Sequence, residues 1–226
     1  MSPTLLELRH ISFRYRLSRN TYSDPVLKGI DLSLGEREVL VLVGPSGAGK
    51  STLLRLCNRL EDPSDGEILL RGVNTADMGP QALRREIALI PQEPFLVEGT
   101  VRDNLLLPYD RQGTGKPGDA LCREAMASVG LSADLLDRHD EGLSVGEKQR
   151  VSIARVLMMS PAIILMDEPT SALDQTNWEI LARTILRINE KRGIAFVVVT
   201  HLGQFVESIH GRQVVLSQGE IINSHG

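Results

Sequence analysis

Residues 39–52 read VLVLVGPSGAGKST, and this stretch decides the class of fold. A run of Val and Leu precedes a glycine-rich turn, and Gly44–Ser51 fits the pattern G-x-x-x-x-G-K-[ST]. Between a strand and a helix, this pattern is typical of a P-loop, whose backbone N–H groups face a phosphate. We therefore predict a polyphosphate site formed by Gly44, Pro45, Ser46, Gly47, Ala48, Gly49, Lys50, Ser51 and Thr52.

The polar side chains of the P-loop, residues 44–51, have separate expected roles. Lys50 places a point charge at the β- and γ-phosphates, and Ser51 is placed to ligate Mg²⁺. Thr52 continues the first helical turn. A P-loop alone does not separate kinases, GTPases and ATPases.

Two later runs rich in Ile and Val also end at polar clusters: 162–168, AIILMDE, and 195–201, AFVVVTH. Buried parallel strands have this composition, and functional loops follow their carboxyl ends. Helical periodicity occurs over residues 52–60, 151–159 and 178–191. Alternating strands and helices predict an α/β fold with a parallel sheet.

The N-terminal third has a different pattern. Residues 5–15, 26–34 and 66–72 form short alternating segments, which indicate antiparallel strands in a small β layer on the core. From Thr100 to Met159 the strand patterns stop, and Pro108 and the loop RQGTGKPGD interrupt the chain, which predicts an inserted helical subdomain. We expect one domain over 1–226, in which 1–99 and 160–226 form the β layer and nucleotide-binding core and 100–159 form the helical subdomain.

Two adjacent acids end the second apolar run. Asp167 is placed to hold Mg²⁺ through water, and Glu168 to orient and deprotonate an attacking water. A random acidic pair is usually a solvated loop start. The preceding apolar run and the P-loop favour the catalytic interpretation.

A capping box opens the helix expected after residue 144. Ser144 can accept from the N–H of Glu147, whose carboxylate can reach back to the Ser144 N–H. By itself, this pattern predicts only where a helix begins.

Taken together, the P-loop, the AIILMDE strand, the segment LSVGEKQR and His201 resemble the ATP-binding cassette of ABC transporters over nearly the whole chain. The resemblance makes residues 143–150 the signature segment, in which the family usually has L-S-G-G-Q. It implies that Ser144 and Gly146 bind the γ-phosphate held by the P-loop of a second cassette. Val145 and Glu147 depart from the pattern. Because a β-branched residue is allowed at the first helical position, we expect a working site.

Other positions match motifs of the family one by one. Gln92 in PQEPF resembles the Q-loop glutamine, which senses Mg²⁺ and the membrane partner. Asp174 in SALD resembles the D-loop aspartate, and His201 resembles the switch histidine, whose imidazole contacts the γ-phosphate and the attacking water.

An aromatic residue near the N-terminus resembles the one that stacks on adenine in the family. Tyr15 in SFRY has a suitable offset from the P-loop. Phe13 and Tyr22 are the alternatives for this role.

The resemblance implies an ATPase that uses ATP and Mg²⁺. Two copies would pair head to tail around two ATP molecules and drive separate transmembrane permease subunits. These subunits would dock on residues 93–108, where we expect Phe95, Leu96 and Val97 to be exposed. Residues 93–108 and the helical subdomain also resemble the ATPase subunit of a bacterial iron or metal-ion exporter. An ABC-type regulatory ATPase acting on nucleic acid or ribosomes is the alternative, and a small-molecule kinase is a third interpretation.

Composition limits the partners and the location. A formal net charge of −4 gives no general attraction to nucleic acid, so we expect no nucleic-acid partner. The apolar runs are far shorter than the roughly 18 residues that cross a bilayer, and the N-terminus has no signal-peptide pattern. We assign no chemistry to Cys57 and Cys122, which lack ligands at metal-binding spacing. We expect a peripheral subunit on the cytoplasmic face of the inner membrane.

Overall fold

A computed structural model describes residues 3–19, 21–110 and 117–225, so most of the loop expected after Pro108 lies outside the described residues. The strands are β1 Thr4–Phe13, β2 Arg16–Ser18, β3 Thr21–Tyr22, β4 Leu27–Gly35, β5 Val39–Val43, β6 Asp65–Leu70, β7 Val73–Asn74, β8 Ile87–Ile90, β9 Ile163–Asp167, β10 Ala195–Val199, β11 Arg212–Ser217 and β12 Glu220–His225. The α-helices are α1 Lys50–Cys57, α2 Pro80–Glu86, α3 Val101–Asp110, α4 Asp119–Ser128, α5 Val145–Leu157, α6 Gln175–Arg192 and α7 Gly203–Ser208.

The central sheet has the order β12-β11-β5-β10-β9-β8. From β11 to β8 all neighbouring strands are parallel, and β12 pairs antiparallel at the edge. Side chains of β5 alternate between two hydrophobic clusters, with Val41 in one and Leu40 and Leu42 in the other. This two-sided burial explains the unbroken apolar runs of β5, β9 and β10. The predicted parallel α/β core is confirmed.

The second sheet, β4-β1-β6-β7, is antiparallel and confirms the predicted β layer. Its inward residues share a cluster with Leu53, Leu54 and Leu56 of α1. The helix that follows the P-loop is therefore packed between the β layer and the parallel sheet. Both sides of α1 are fixed, which holds the P-loop in place.

Helices α3, α4 and α5 lie between β8 and β9 along the chain and pack on one another. Within the described residues of 100–159, the only β pairing is an isolated bridge between Thr100 and His139. Among the helices in the described parts of the chain, none combines the length and the hydrophobicity needed to cross a bilayer.

The helical periodicity in the sequence predicted the buried faces of helices more accurately than the residues at which the helices begin and end. Helix α1 ends at Cys57, although the pattern extended to residue 60. Helix α6 begins at Gln175, before the first apolar residue of its pattern, because the Asp174 carboxylate accepts from the Asn177 N–H at 2.9 Å and caps the helix.

Candidate functional site

Glycine is required at two positions of the P-loop. The φ angles of Gly44 and Gly49 are +148° and +101°, which L side chains rarely adopt. A Cβ at Gly44 would lie 1.9 Å from the Leu216 carbonyl oxygen, and one at Gly49 would lie 2.8 Å from the Leu27 side chain. The P-loop therefore lies directly against β11 and β4, and its curvature depends on these glycines.

Lys50 lies across the P-loop. Its side chain is buried, and Nζ donates to the carbonyl oxygens of Gly44 and Pro45, at 2.9 Å each. Helix α1 begins at Lys50, so the partial positive charge of its N-terminus adds to that of the ammonium. These charges favour an anion at the centre of the loop.

Ser51 and Asp167 meet although 116 residues separate them in sequence: Ser51 Oγ donates to Asp167 Oδ1 at 2.9 Å. Ser51 is in the first turn of α1 and Asp167 ends β9, so the sheet brings them together. A hydroxyl and a carboxylate are oxygen donors, which is the ligand type that Mg²⁺ prefers. The donor set therefore fits the predicted metal.

Glu168 and His201 also form a pair. His201 Nδ1 donates to Glu168 Oε2 at 2.8 Å, and the side chains of His201 and Glu168 are 71% and 16% exposed, respectively. Glu168 has a φ of +46°, an unusual backbone conformation for a residue with a Cβ. Its N–H donates to the Val199 carbonyl at the end of β10. The strained backbone thus directs the carboxylate away from the end of β9 and toward His201.

These pairs surround a cavity of about 750 Å³. Its lining consists of Tyr15, Val26, Gly44, Ser46, Gly47, Gly49, Lys50, Ser51, Thr52, Gln92, Glu168 and His201. All of these except Val26 were predicted as site residues. An apolar residue just before β4 carries no chemical signal in the sequence, which is why Val26 was missed. Pro45 and Ala48 belong to the P-loop but do not line the cavity. Asp167 does not line it either, but it accepts a hydrogen bond from Ser51, which does.

The structure distinguishes the three aromatic candidates. Tyr15 lines the cavity, and its hydroxyl is hydrogen-bonded to Thr52 Oγ1 at 2.9 Å. Phe13 is buried beneath it, with the two rings edge to face at 4.8 Å. Tyr22 is exposed and outside the lining of the cavity among the described residues. Of the three, Tyr15 has the position that stacking on a base would require.

The signature segment does not reach this cavity. Ser144, Gly146 and Asp174 are absent from its lining in the part of the chain that the structure describes. The capping box is present: the Glu147 N–H donates to Ser144 Oγ at 3.3 Å, and the Ser144 N–H donates to Glu147 Oε2 at 2.8 Å. The latter hydrogen bond is the main reason that the pKa of Glu147 lies below its usual value. Val145 takes the first helical position and is 47% exposed.

The expected docking segment is less exposed than its sequence suggests. Phe95 is 65% exposed, but Leu96 packs partly against the core and Val97 is half-buried. The buried Asn104 amide binds the Val97 backbone at both its N–H and its carbonyl, at 2.9 Å each. The expectation of three exposed apolar side chains was therefore wrong for Leu96 and Val97, and Phe95 alone projects.

The arrangement has the parts needed for phosphate-ester hydrolysis. One cavity contains a backbone cradle with a lysine, an oxygen pair suited to a divalent cation, and a carboxylate with a histidine partner. A bound polyphosphate, a metal and a base are what such a reaction needs.

Comparisons with known proteins show the family to which the chain belongs. The family described as "ABC transporter" matches residues 27–171. The chain is 37% identical over 199 residues to the protein STAR1 of Oryza sativa subsp. japonica, covering 88% of this chain and 57% of that protein. It is 38% identical over 223 residues to the methionine import ATP-binding protein MetN of Latilactobacillus sakei, covering 96% of this chain and 64% of that one. The chain thus spans about six tenths of the length of these two relatives.

Solved structures cover the chain more completely. The dimeric ATP-binding cassette MJ0796, in a post-hydrolysis state bound to ADP and Pi, matches with a TM-score of 0.82 and 30% identity, covering 98% of both chains. The protein cbiO1 from Clostridium perfringens, part of the ABC transporter complex cbiONQ, matches with a TM-score of 0.87 and 27% identity, covering 99% of this chain and 89% of that one.

Proposed function

The chain belongs to the ABC transporter family as an ATP-binding cassette, and from that premise we propose that it hydrolyses ATP to power transport through separate membrane subunits. The observation that supports this most strongly is the convergence of the Lys50 ammonium, the Ser51–Asp167 pair and the Glu168–His201 pair on one cavity.

In the proposed reaction, the P-loop binds the phosphates and Tyr15 stacks on the adenine. Lys50 exchanges its bonds to the Gly44 and Pro45 carbonyls for bonds to the β- and γ-phosphates, so its charge moves little. Ser51, Asp167 and Gln92 would hold Mg²⁺, with Asp167 acting through water. When bound, Mg²⁺ neutralises charge that develops on the phosphate oxygens.

Glu168 is the proposed general base. Its carboxylate orients the attacking water and accepts a proton from it as the water oxygen bonds to the γ-phosphorus and the bond to ADP breaks. His201 donates to Glu168 through Nδ1, so Nε2 accepts from the attacking water when the ring is neutral and donates to the γ-phosphate when both ring nitrogens carry a proton. His201 thereby links the position of the base to the presence of the γ-phosphate.

A second copy completes the proposed site. The N-terminus of α5 is a helix end suited to an anion, yet Ser144 and Val145 are exposed and belong to no part of the cavity lining within the described residues. The match to a dimeric cassette supports a homodimer. In the proposed head-to-tail arrangement, Ser144, Gly146 and Asp174 face the nucleotide of the partner.

The membrane partner is also part of the proposal. Phe95 projects close in sequence to Gln92, and its backbone carbonyl accepts from Arg155 Nη2 of α5 at 2.7 Å. A permease loop that binds Phe95 would therefore contact a segment joined to the nucleotide site and to the signature helix. This arrangement would place the chain on the cytoplasmic face of the membrane as a peripheral subunit.

The transported substrate is the part of the proposal with the fewest supporting observations. Metal-ion export rests on the resemblance of residues 93–108 and of the helical subdomain, 100–159. The relatives carry other names, including methionine import. The alternative of a regulatory ATPase on nucleic acid or ribosomes gains no support from these relatives, so we propose transport.

The decisive test replaces the base. The Glu168→Gln variant should bind ATP with unchanged affinity, and its turnover rate should fall by roughly 10²- to 10⁴-fold because the water loses its proton acceptor. The variant should therefore accumulate as an ATP-bound dimer. Steady-state ATPase assays and light scattering measure these effects. Glu190→Gln, an exposed acid far along α6, is the matched control and should behave as wild type. A Glu168→Gln chain that hydrolyses ATP normally would exclude the assignment.

The partner requires a separate experiment. The tagged chain should capture a polytopic membrane protein from detergent-solubilised membranes of its own source, identified by mass spectrometry. Phe95→Ser should reduce that capture while leaving ATP binding intact. Capture of ribosomal or other soluble proteins alone would contradict the transport proposal.

A further inference from the structure

The N-termini of α5 and α6 touch at Gly146. A Cβ on Gly146 would lie 2.2 Å from Asn177 Oδ1, 2.7 Å from Asn177 Cγ and 3.4 Å from Asn177 Cβ. Gly146 is in the first turn of α5 and lacks the positive φ that would itself demand glycine. Its own backbone therefore permits a side chain, and the neighbouring Asn177 excludes one.

Hydrogen bonds hold Asn177 in this position. Asp174 Oδ1 accepts from both the N–H and the Nδ2 of Asn177, at 2.9 Å each. On the other side, Asn177 Oδ1 accepts a long hydrogen bond of 3.4 Å from Arg150 Nη1 of α5. Because a carboxylate only accepts and a guanidinium only donates, these partners determine which way the amide points. The oxygen therefore faces α5 and the nitrogen faces Asp174.

Arg150 strengthens this connection from the side of α5. Partial burial lowers the pKa of its guanidinium, and the nearby Glu147 carboxylate opposes that effect. A partly desolvated guanidinium needs acceptors, and the Asn177 carbonyl is one of them. Hydrogen bonds thus connect Arg150 of α5 through Asn177 to Asp174, and Glu147 of the capping box acts on Arg150 through its charge.

We propose that Asn177 is a positioning residue that fixes the distance between the signature segment and Asp174. Under the proposed function, on which this inference rests, both groups face the nucleotide of the partner subunit and must reach it together. Asn177 is the wedge between them: it sets how closely α5 approaches α6 and orients the Asp174 carboxylate. Misplacement by about 1 Å can cost on the order of 10²-fold in rate.

The first test is Asn177→Ala. It should leave ATP affinity of the monomer unchanged, because the P-loop is untouched, and lower kcat by about tenfold, because the two groups lose their fixed spacing. Gln175→Ala is the matched control from the same helical turn, because exposed Gln175 donates to Glu179 and not to Asp174. Wild-type kcat in Asn177→Ala would overturn the proposal.

The second test is rescue. Gly146→Ala should lower kcat further than Asn177→Ala does and should lower Tm, because the new methyl meets Asn177 Oδ1. In the double variant Gly146→Ala/Asn177→Ala, the nearest remaining contact is the one at 3.4 Å, an ordinary separation. Both kcat and Tm should return to the values of Asn177→Ala alone. A double variant no better than Gly146→Ala would contradict the wedge.

The Tm measurements separate two kinds of failure. If the wild-type chain failed to hydrolyse ATP, the proposed function would fall, whereas rescue of Tm would still establish the contact between Gly146 and Asn177. If hydrolysis were normal but neither kcat nor Tm were rescued, the positioning role alone would fall.

Discussion

The P-loop side of the molecule and the N-terminus of α5 differ in completeness. Around the P-loop, Lys50, Ser51 and Glu168 each have a partner within the same chain, and one cavity joins them. At α5, the capping box satisfies the backbone of Ser144, but Val145 beside it remains exposed. Under the proposed function, the first region is one half of the site, and the second is the helix N-terminus that contacts the nucleotide of the partner subunit.

The two regions also differ in where a side chain fits: the N-terminus of α5 accepts one at position 145, although not at Gly146, whereas Gly44 and Gly49 of the P-loop accept none without a clash. Replacing Gly44 or Gly49 would force a side chain against neighbouring atoms at 2.8 Å or less. Val145, in contrast, replaces a family glycine at a position where an L residue is unstrained and half-exposed. The departure from L-S-G-G-Q therefore falls where the backbone can absorb it.

The largest effect that separates the two regions should come from Lys50→Ala. Charge-assisted hydrogen bonds contribute about 1.5–3 kcal/mol, so ATP affinity of the monomer should fall about 10- to 100-fold. Isothermal calorimetry measures this loss. Lys191→Ala, an exposed lysine at the end of α6, is the control. Unchanged affinity would show that the P-loop is not the phosphate cradle.

A smaller effect is expected at the other region. Ser144→Ala removes the N-cap of α5 and should cost about 1 kcal/mol of stability, which lowers Tm by roughly 2–4 °C. Monomer affinity for ATP should stay at the wild-type value, since Ser144 lies outside the cavity lining given by the described residues. An affinity loss comparable to that of Lys50→Ala would mean that both regions act within one chain.

The smallest effect should come from restoring the family glycine. Val145→Gly changes an exposed first-turn residue whose backbone is already relaxed, so turnover should change a few-fold at most. Steady-state ATPase assays decide this. A rise of about a hundredfold would identify Val145 as a brake on the signature segment.

Much of the fold could be predicted because its signals are local. The P-loop pattern, the apolar runs of β5, β9 and β10, and the capping box at Ser144 each lie within about a dozen consecutive residues. Strands β8, β11 and β12 of the central sheet were missed. Helix α2 and the four-residue strand β8 follow each other with no turn signal between them, and β11 has only three consecutive apolar residues, without alternation.

The unpredicted part of the site depends on contacts between distant residues. No spacing rule places Asn177 against Gly146, or Val26 beside the P-loop. Leu96 was predicted to be exposed because its neighbours in sequence form a loop. In the structure it is partly buried against the hydrophobic cluster that contains the helices. The chemistry of the site could be predicted from the types of residue in each motif. The packing of α5 on α6 could not, because it depends on the three-dimensional structure.

The most direct test of the central claim, that two chains build each site, is complementation between two inactive variants. Glu168→Gln damages only the P-loop side, and Ser144→Glu places a carboxylate where the γ-phosphate of the partner would lie. Mixed before ATP is added, the two variants should form heterodimers with one intact site and recover ATPase activity well above the sum of the separate proteins. Activity equal to that sum would contradict the composite site.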